Sequence, residues 1–292
     1  MKKELNNKTY KVGDHGLVRI LELMGDDESI VASAKVINSE YREVSVLRDL
    51  ETIRYLMRHD MMHPFGMACC KLFLRVPKNC WRHWTKNMHI QRIEKPTPTS
   101  CGPICKQTST TEWRLDAPHK ATGDEYLTSE NSKGYSPDYL SSREFGLHAI
   151  AAEVFEERVS AGVDPYQASK DMPESHYLDV VWKSDLDKIF EFLLLHKNST
   201  REVSDYCDVF STIVREWVPA CYAAFLDNKL HSISLSRREI GVLALLNAND
   251  QTRARELAES YGWFNSLAIR ERKEFQRKIL ALKLENMIPW QM

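Results

Sequence analysis

Between residues 80 and 105 the sequence gathers side chains that can do chemistry: Cys80, His83, Lys86, Glu94, Cys101 and Cys105, with Trp81 and Trp84 among them. Cys80-x2-His83 followed by Cys101-x3-Cys105 gives two close pairs of the soft S and N donors that zinc takes. That spacing matches no common zinc module, and the plainer reading is thiols in a loop-rich stretch, so no metal is expected. His83 and, further on, His196 are imidazoles that can polarise a ring or take a proton near neutral pH; they also read as ordinary hydrogen-bonded histidines. Lys86 can meet a phosphate or sit on the surface. Glu94 can orient a ribose or stand solvated. Trp81 and Trp84 are three apart, which puts them on one helical face as core before stacking platform.

These side chains need elements to position them. LVRILELM (17–24) reads as a strand, and Asp26 or Asp27 can cap a helix over 29–37. Val46, Leu50, Ile53 and Met57 recur at helical spacing to about His59, and His63-Pro64-Phe65-Gly66 stops that helix. MACCKLFLRV (67–76) reads as a strand ended by Pro77, and 78–92 as a helix start and loop. Residues 95–140 hold Pro96, Pro98, Pro103, Pro118 and Pro137 among many Ser and Thr, the mark of a long irregular segment. Ser141-x-x-Glu144 reads as a capping box opening a helix with Phe145, Ala149, Ile150, Ala152 and Phe155 on its apolar face. Asp164-Pro165 starts a short helix, YLDVVW (177–182) a strand, Ser184 a helix to His196, and Thr200 a helix to Leu226. Beyond 231 the chain reads as helices, with caps at Ser236-x-x-Glu239 and Asp250 and a stop at Gly262.

The chain has 292 residues, 43% hydrophobic and 28% charged, with 40 basic against 41 acidic side chains. That apolar share supports a folded core, and the near-zero net charge gives no global pull toward nucleic acid or membrane. The first residues carry no apolar run and no stretch approaches the ~18 apolar residues of a membrane span, so the expectation is a cytoplasmic chain with reduced thiols. After residue 231 there are 10 Lys/Arg against 7 Asp/Glu, an excess that suits a solvated face.

The order of segments resembles the flavin-dependent thymidylate synthases. VRILELMGDDESIVASAKV (18–36) is like the family's first strand, loop and helix, and IRYLMRHDMMHPFGMACCKLFLRVP (53–77) is like its next helix, turn and strand. WRHWTKNMHIQRIE (81–94) falls where the family carries its signature, R-Q-W-x-R-H-R-x-x-S-x-N-E-x-S-x-R-Y. ENSKG (130–134) and AGVDPYQASKDMPESHYLDVVWKSDLDKIFEFLLLH (161–196) resemble later segments. The likeness covers about 17–227, which divides the chain into a family-like domain, 1–230, and a helical C-terminal extension, 231–292.

The resemblance implies an α/β (α+β) fold with a curved mixed sheet and helices, a homotetramer, and an active site between subunits. The reaction it implies moves a one-carbon unit from methylenetetrahydrofolate to carbon 5 of dUMP, with FAD, reduced by NADPH, supplying the hydride. Carried over position by position, flavin contacts would fall on Arg58, His63, Lys86, Asn87, Met88, Asp185, Asp187 and Glu191. Nucleotide contacts would fall on His83, Lys86, Glu94 and Ser169, and the group that polarises the uracil ring on His196. Arg82, Trp84 and Glu94 keep the signature. His83 replaces a Gln, Lys86-Asn87-Met88 an Arg-His-Arg, and Pro96 and Pro98 a Ser and an Arg. Ser169 replaces an Arg; Asp185, Asp187 and Glu191 replace Asn, Arg and Asn; His196 replaces an Arg. Bidentate arginine is the strongest common phosphate ligand, and like charge repels a nucleotide, so these changes point to an altered substrate or cofactor pose. The alternative is a non-catalytic relative that keeps the fold as a scaffold or as a partner for another macromolecule.

Overall fold

The computed structural model describes residues 5–37, 46–87, 91–95, 98–99, 101–115, 126–196, 201–265 and 268–284. The chain divides into two compact units, Met1–Trp113 with Leu127–His231, and Arg114–Tyr126 with Ser232–Met292.

The first unit is framed by one sheet of five strands: β1 (Thr9–Val12), β2 (Gly16–Met24), β3 (Cys69–Pro77), β4 (Gln91–Glu94) and β5 (Tyr177–Asp185), in the order β1-β2-β3-β5-β4. Every neighbouring pair is antiparallel, where a mixed sheet was expected. A strand's side chains alternate between faces. In β3 this buries Cys70, Leu72, Leu74 and Val76 and turns Lys71, Phe73 and Arg75 to the other face. β4 is a strand where a loop was expected; it follows α3 (Lys78–Asn87) and pairs Glu94 with Val180.

The remaining helices of this unit are α1 (Asp27–Ile37), α2 (Val46–Arg58), α4 (Pro137–Ser160), α5 (Pro165–Ala168), α6 (Leu186–His196), α7 (Arg201–Trp217) and α8 (Pro219–Phe225). One core joins the sheet to them through Ile20, Leu72, Trp84, Trp182, Phe192 and Phe210. Asp26 is the cap of α1, accepting from Ser29 N at 2.9 Å. Asp27 instead accepts from Ala220 N and Cys221 N at 3.0 and 2.9 Å, capping α8 from the far side of the sequence. Gly25, just before them, has φ +83°, and a Cβ there would lie 2.9 Å from Ala68, so the turn needs glycine.

Several boundaries differ from the sequence reading. Ser184 and Asp185 stay in β5, opposite Cys70 and Cys69, so α6 opens at Leu186. The helix expected over 200–226 is broken at Val218, because Pro219 cannot donate to the preceding turn. Ser141 and Glu144 form no capping box. α4 begins at Pro137 with Ser136 as its cap, accepting from Tyr139 N. Ser141 Oγ donates to Thr108 O at 2.9 Å, and Glu144 accepts from Thr108 N at 2.6 Å, so both hold the irregular segment to the helix. The expected apolar face of α4 is therefore not its packed face: Phe145 and Ile150 are 68% and 61% exposed. The Pro-rich stretch is irregular but docked, with Lys106 N donating to Ser175 O and Tyr177 N to Ile104 O.

The second unit carries α9 (Arg237–Asn247), α10 (Gln251–Ser260) and α11 (Ile269–Ala281) around a separate core of Val242, Leu246, Ala254, Ala258, Trp263, Phe275 and Ile279. Ser236 and Glu239 form the expected capping box, Asp250 caps α10, and Gly262 at φ +75° ends it. No described helix is long and apolar enough to cross a membrane.

Candidate active site

α3 is anchored by its two tryptophans. Trp84 is fully buried edge-on to Phe192, Tyr206 and Phe210, and Trp81 meets Trp182. Both are core, as their spacing indicated. With that face fixed, His83 projects on the exposed side of α3. The last residue of α6, His196, comes to meet it: the rings are edge to face, 5.2 Å between centroids. His196 is buried and also lies against Phe192 at 4.5 Å. Burial, with the neighbouring His83 acting in the same direction, pulls the His196 pKa down to about 4, so the ring is neutral at pH 7.

Lys86 and Asn87 follow His83 at i+3 and i+4, which places the three positions on one side of α3. The side chains of Lys86 and Asn87, and Met88 and Pro96 altogether, lie outside the described residues. Glu94 is held through Oε1, which accepts from Trp81 Nε1 at 2.7 Å and from Arg92 Nε. That fixes β4 to α3 and orients the carboxylate.

Of the expected flavin contacts, Asp185 and Asp187 lie at the start of α6, the end opposite His196, and Glu191 one turn further along it. His63 is exposed in the turn His63–Met67, and Arg58 is exposed at the end of α2. The turn packs on α6 through Phe65 and Phe190, 6.1 Å apart. At Gly66 an added Cβ would stand 3.6 Å from Asp187 Oδ1. That oxygen is buried with no hydrogen-bond partner among the described residues, and burial pushes the Asp187 carboxyl above the usual carboxylate range. Lys188 sits between Glu191 at 2.8 Å and Asp187 at 4.0 Å, offsetting part of the negative charge. Asp185 stands opposite Cys69. The nine-residue rise from Asp187 to His196 is about 14 Å of helix, so the two groups are opposite ends of one element.

Ser169 is bonded within its own turn. Its hydroxyl donates to Tyr166 O at 2.8 Å in the turn after α5. The four residues of the zinc alternative do not converge: Cys80 Sγ faces Glu202, Cys105 pairs by backbone with His176, and burial pushes the Cys105 thiol up to about 11, away from a thiolate. Among the described residues no cluster of His, Cys, Asp and Glu is placed to hold a metal ion. One buried ion pair escaped the sequence reading. Arg75 Nε and Nη2 meet the two carboxylate oxygens of Asp179 at 2.9 and 3.5 Å across β3 and β5, and Tyr206 donates to Arg75 O at 2.5 Å. Only the strand register brings Arg75 and Asp179 together.

The fold of this chain has solved counterparts. A UMP/dUMP methylase, PolB from Streptomyces cacaoi, bound with 5-Br dUMP, shares the fold with a TM-score of 0.63 at 17% identity, over 75% of this chain and 97% of that one. The flavin-dependent thymidylate synthase of Thermus thermophilus is 30% identical over 240 residues, 80% of this chain and 84% of the relative. Those of Ruegeria pomeroyi and Borreliella burgdorferi are 27% and 26% identical, covering 92% and 84% of this chain and 87% and 92% of their own. No family model matches the chain. The chain belongs to the flavin-dependent thymidylate synthase family.

Proposed function

We propose that the chain is an FAD-dependent enzyme that reductively transfers a one-carbon unit to carbon 5 of dUMP or a related pyrimidine nucleotide. Membership of the family carries this reading, and the fold shared with a protein named a UMP/dUMP methylase supports it. When bound, the flavin supplies the reducing hydride; NADPH and methylenetetrahydrofolate are the co-substrates the reading requires. The setting is the cytoplasm.

The residues fit a flavin whose ring and phosphates sit in different surroundings. Near the turn, Arg58 and His63 are accessible donors. Asp187, with an unmatched buried oxygen and a carboxyl shifted toward its neutral form, suits a hydrogen bond to a polar ring edge better than it suits a phosphate. Asp185 and Glu191 lie on the same side, so the phosphates belong with Lys86, Asn87 and Met88. At the far end of α6, His83, Lys86 and Glu94 bind the nucleotide and His196 hydrogen-bonds the pyrimidine ring. As a neutral imidazole, His196 orients and polarises a carbonyl without adding a permanent charge. Ser169, whose hydroxyl is bonded within its own turn, reaches the site from a neighbouring subunit of the homotetramer.

Purified protein is expected to show the flavin absorbance band or to gain it on reconstitution with FAD, and to bind dUMP or UMP in calorimetry. Glu94→Gln and Lys86→Ala should each weaken nucleotide binding about tenfold or more, the scale of a lost hydrogen bond to a charged group. Colourless protein that cannot take up FAD would remove the enzyme reading and leave the scaffold. Unchanged nucleotide affinity in both variants would remove the site.

A further inference from the structure

The two indoles of α3 share a face, and their N–H groups have different fates. Trp84 Nε1 is buried with no hydrogen-bond partner among the described residues. Trp81 is 3% exposed and packs edge-on to Trp84 and Trp182, yet its Nε1 donates to the Glu94 carboxylate at 2.7 Å. Glu94 stands on β4, a four-residue edge strand exposed at every position. A glutamate there has three free torsions, and a ligand that binds it must pay for ordering it. Among the described residues the Trp81–Glu94 bond is the one side-chain hydrogen bond between α3 and β4. Arg92 Nε donates to the same oxygen, Oε1. With Oε1 taken by two donors, Oε2 is the acceptor left for a ligand.

We infer that Trp81 is a positioning residue for the nucleotide: its N–H holds Glu94 so that Oε2 accepts from a sugar hydroxyl of the substrate. The inference rests on the nucleotide reading above and adds to it a residue that touches no substrate. The bond ties the carboxylate to the helix that carries His83 and Lys86, so acceptors and donors from an exposed strand and a packed helix keep one geometry. An acceptor ordered before the ligand arrives gains affinity because the ordering cost is already met. Arg92 does not do this alone. It lies two residues from Glu94 on the same exposed strand and moves with it, whereas Trp81 is locked in the core.

Calorimetry on the full chain reconstituted with FAD should compare dUMP with 2′,3′-dideoxyuridine monophosphate, which lacks the sugar hydroxyl. The native chain should bind dUMP about tenfold more tightly, the scale of a hydrogen bond to a charged group. In Trp81→Phe that ratio should fall toward one, with affinity for the dideoxy nucleotide unchanged. Trp84→Phe removes an indole from the same helix without a bond to Glu94 and should keep the ratio. A chain that takes up no FAD or binds neither nucleotide removes the nucleotide reading and this inference with it. A native chain that binds both nucleotides alike, or a Trp81→Phe variant that keeps the native ratio, overturns the inference and leaves the nucleotide reading standing. Equal loss in Trp84→Phe overturns it too, because packing of α3 would then set the ratio. If Trp81→Phe loses the native circular dichroism, the benzothiophene analogue of tryptophan placed at position 81, which keeps the shape and lacks the N–H, is read against the same outcomes.

Discussion

The chemical difference at His196 is one of charge. A histidine pulled down to about 4 in the folded chain and returning to an ordinary value near 6.5 on unfolding makes stability depend on pH. Between those values the unfolded chain takes a proton that the folded chain refuses. The folded state therefore loses stability as pH falls through this window and is unaffected by this group above it. His196→Phe removes the titration while keeping an aromatic ring against Phe192. Its melting temperature should fall less than that of the native chain as pH drops across the window. His148 and His176, also lowered by burial, keep their share of the slope in both proteins. Equal slopes would show that His196 does not titrate as its burial requires. The meeting of His83 and His196 was half legible in the sequence: the resemblance assigned both to the nucleotide side, but their ring contact depends on how α3 and α6 pack. Arg75 and Asp179 were not legible, because 104 positions separate them and nothing in either local pattern names the other.

Elements were read most accurately where periodicity and a local cap agree, as in α9, and least where a side chain has a distant duty. Asp26 and Asp27 look interchangeable in the sequence, yet one caps its own helix and the other caps α8. Serines and acids were misread at Ser141 and Glu144 for the same reason: an S-x-x-E pattern satisfies a helix start only if the backbone N–H groups there are free, and in α4 they are already inside the helix. Asp27→Ala should thus uncap α8. The expected cost is about 1–2 kcal/mol, the upper range for a lost cap, because two N–H groups lose a charged acceptor. Urea unfolding should show a lower midpoint with little change in slope. Asp27→Asn should lose less, since one side-chain oxygen still accepts. A fully native midpoint for Asp27→Ala would mean that water replaces the carboxylate without cost.

At the scale of the whole molecule the chain holds two cores with no residue in common, one around the sheet and one among α9, α10 and α11. The sequence placed a division near residue 230, where the family likeness runs out. It gave no sign that Arg114–Tyr126, more than 100 residues earlier, groups with the C-terminal helices, a grouping in which Arg114 and Tyr126 pair as a two-residue bridge. Local patterns cannot report such a return of the chain. Cores that share no side chain unfold together only if something else couples them, so a single two-state transition is not the default for this protein. Trp263 is a sharp probe because it is fully buried in the second core, with its Nε1 donating to Glu271 at 3.1 Å. Trp263→Ala should destabilise that core by about 3–5 kcal/mol, the usual range for an aromatic deleted from a packed interior. Calorimetry of the native chain should resolve two transitions, and the variant should move one of them down and leave the other in place. Flavin and nucleotide binding, measured below both transitions, should survive the change. If instead one transition moves as a whole, the two cores are coupled, and the helical extension stabilises the domain that carries the candidate site.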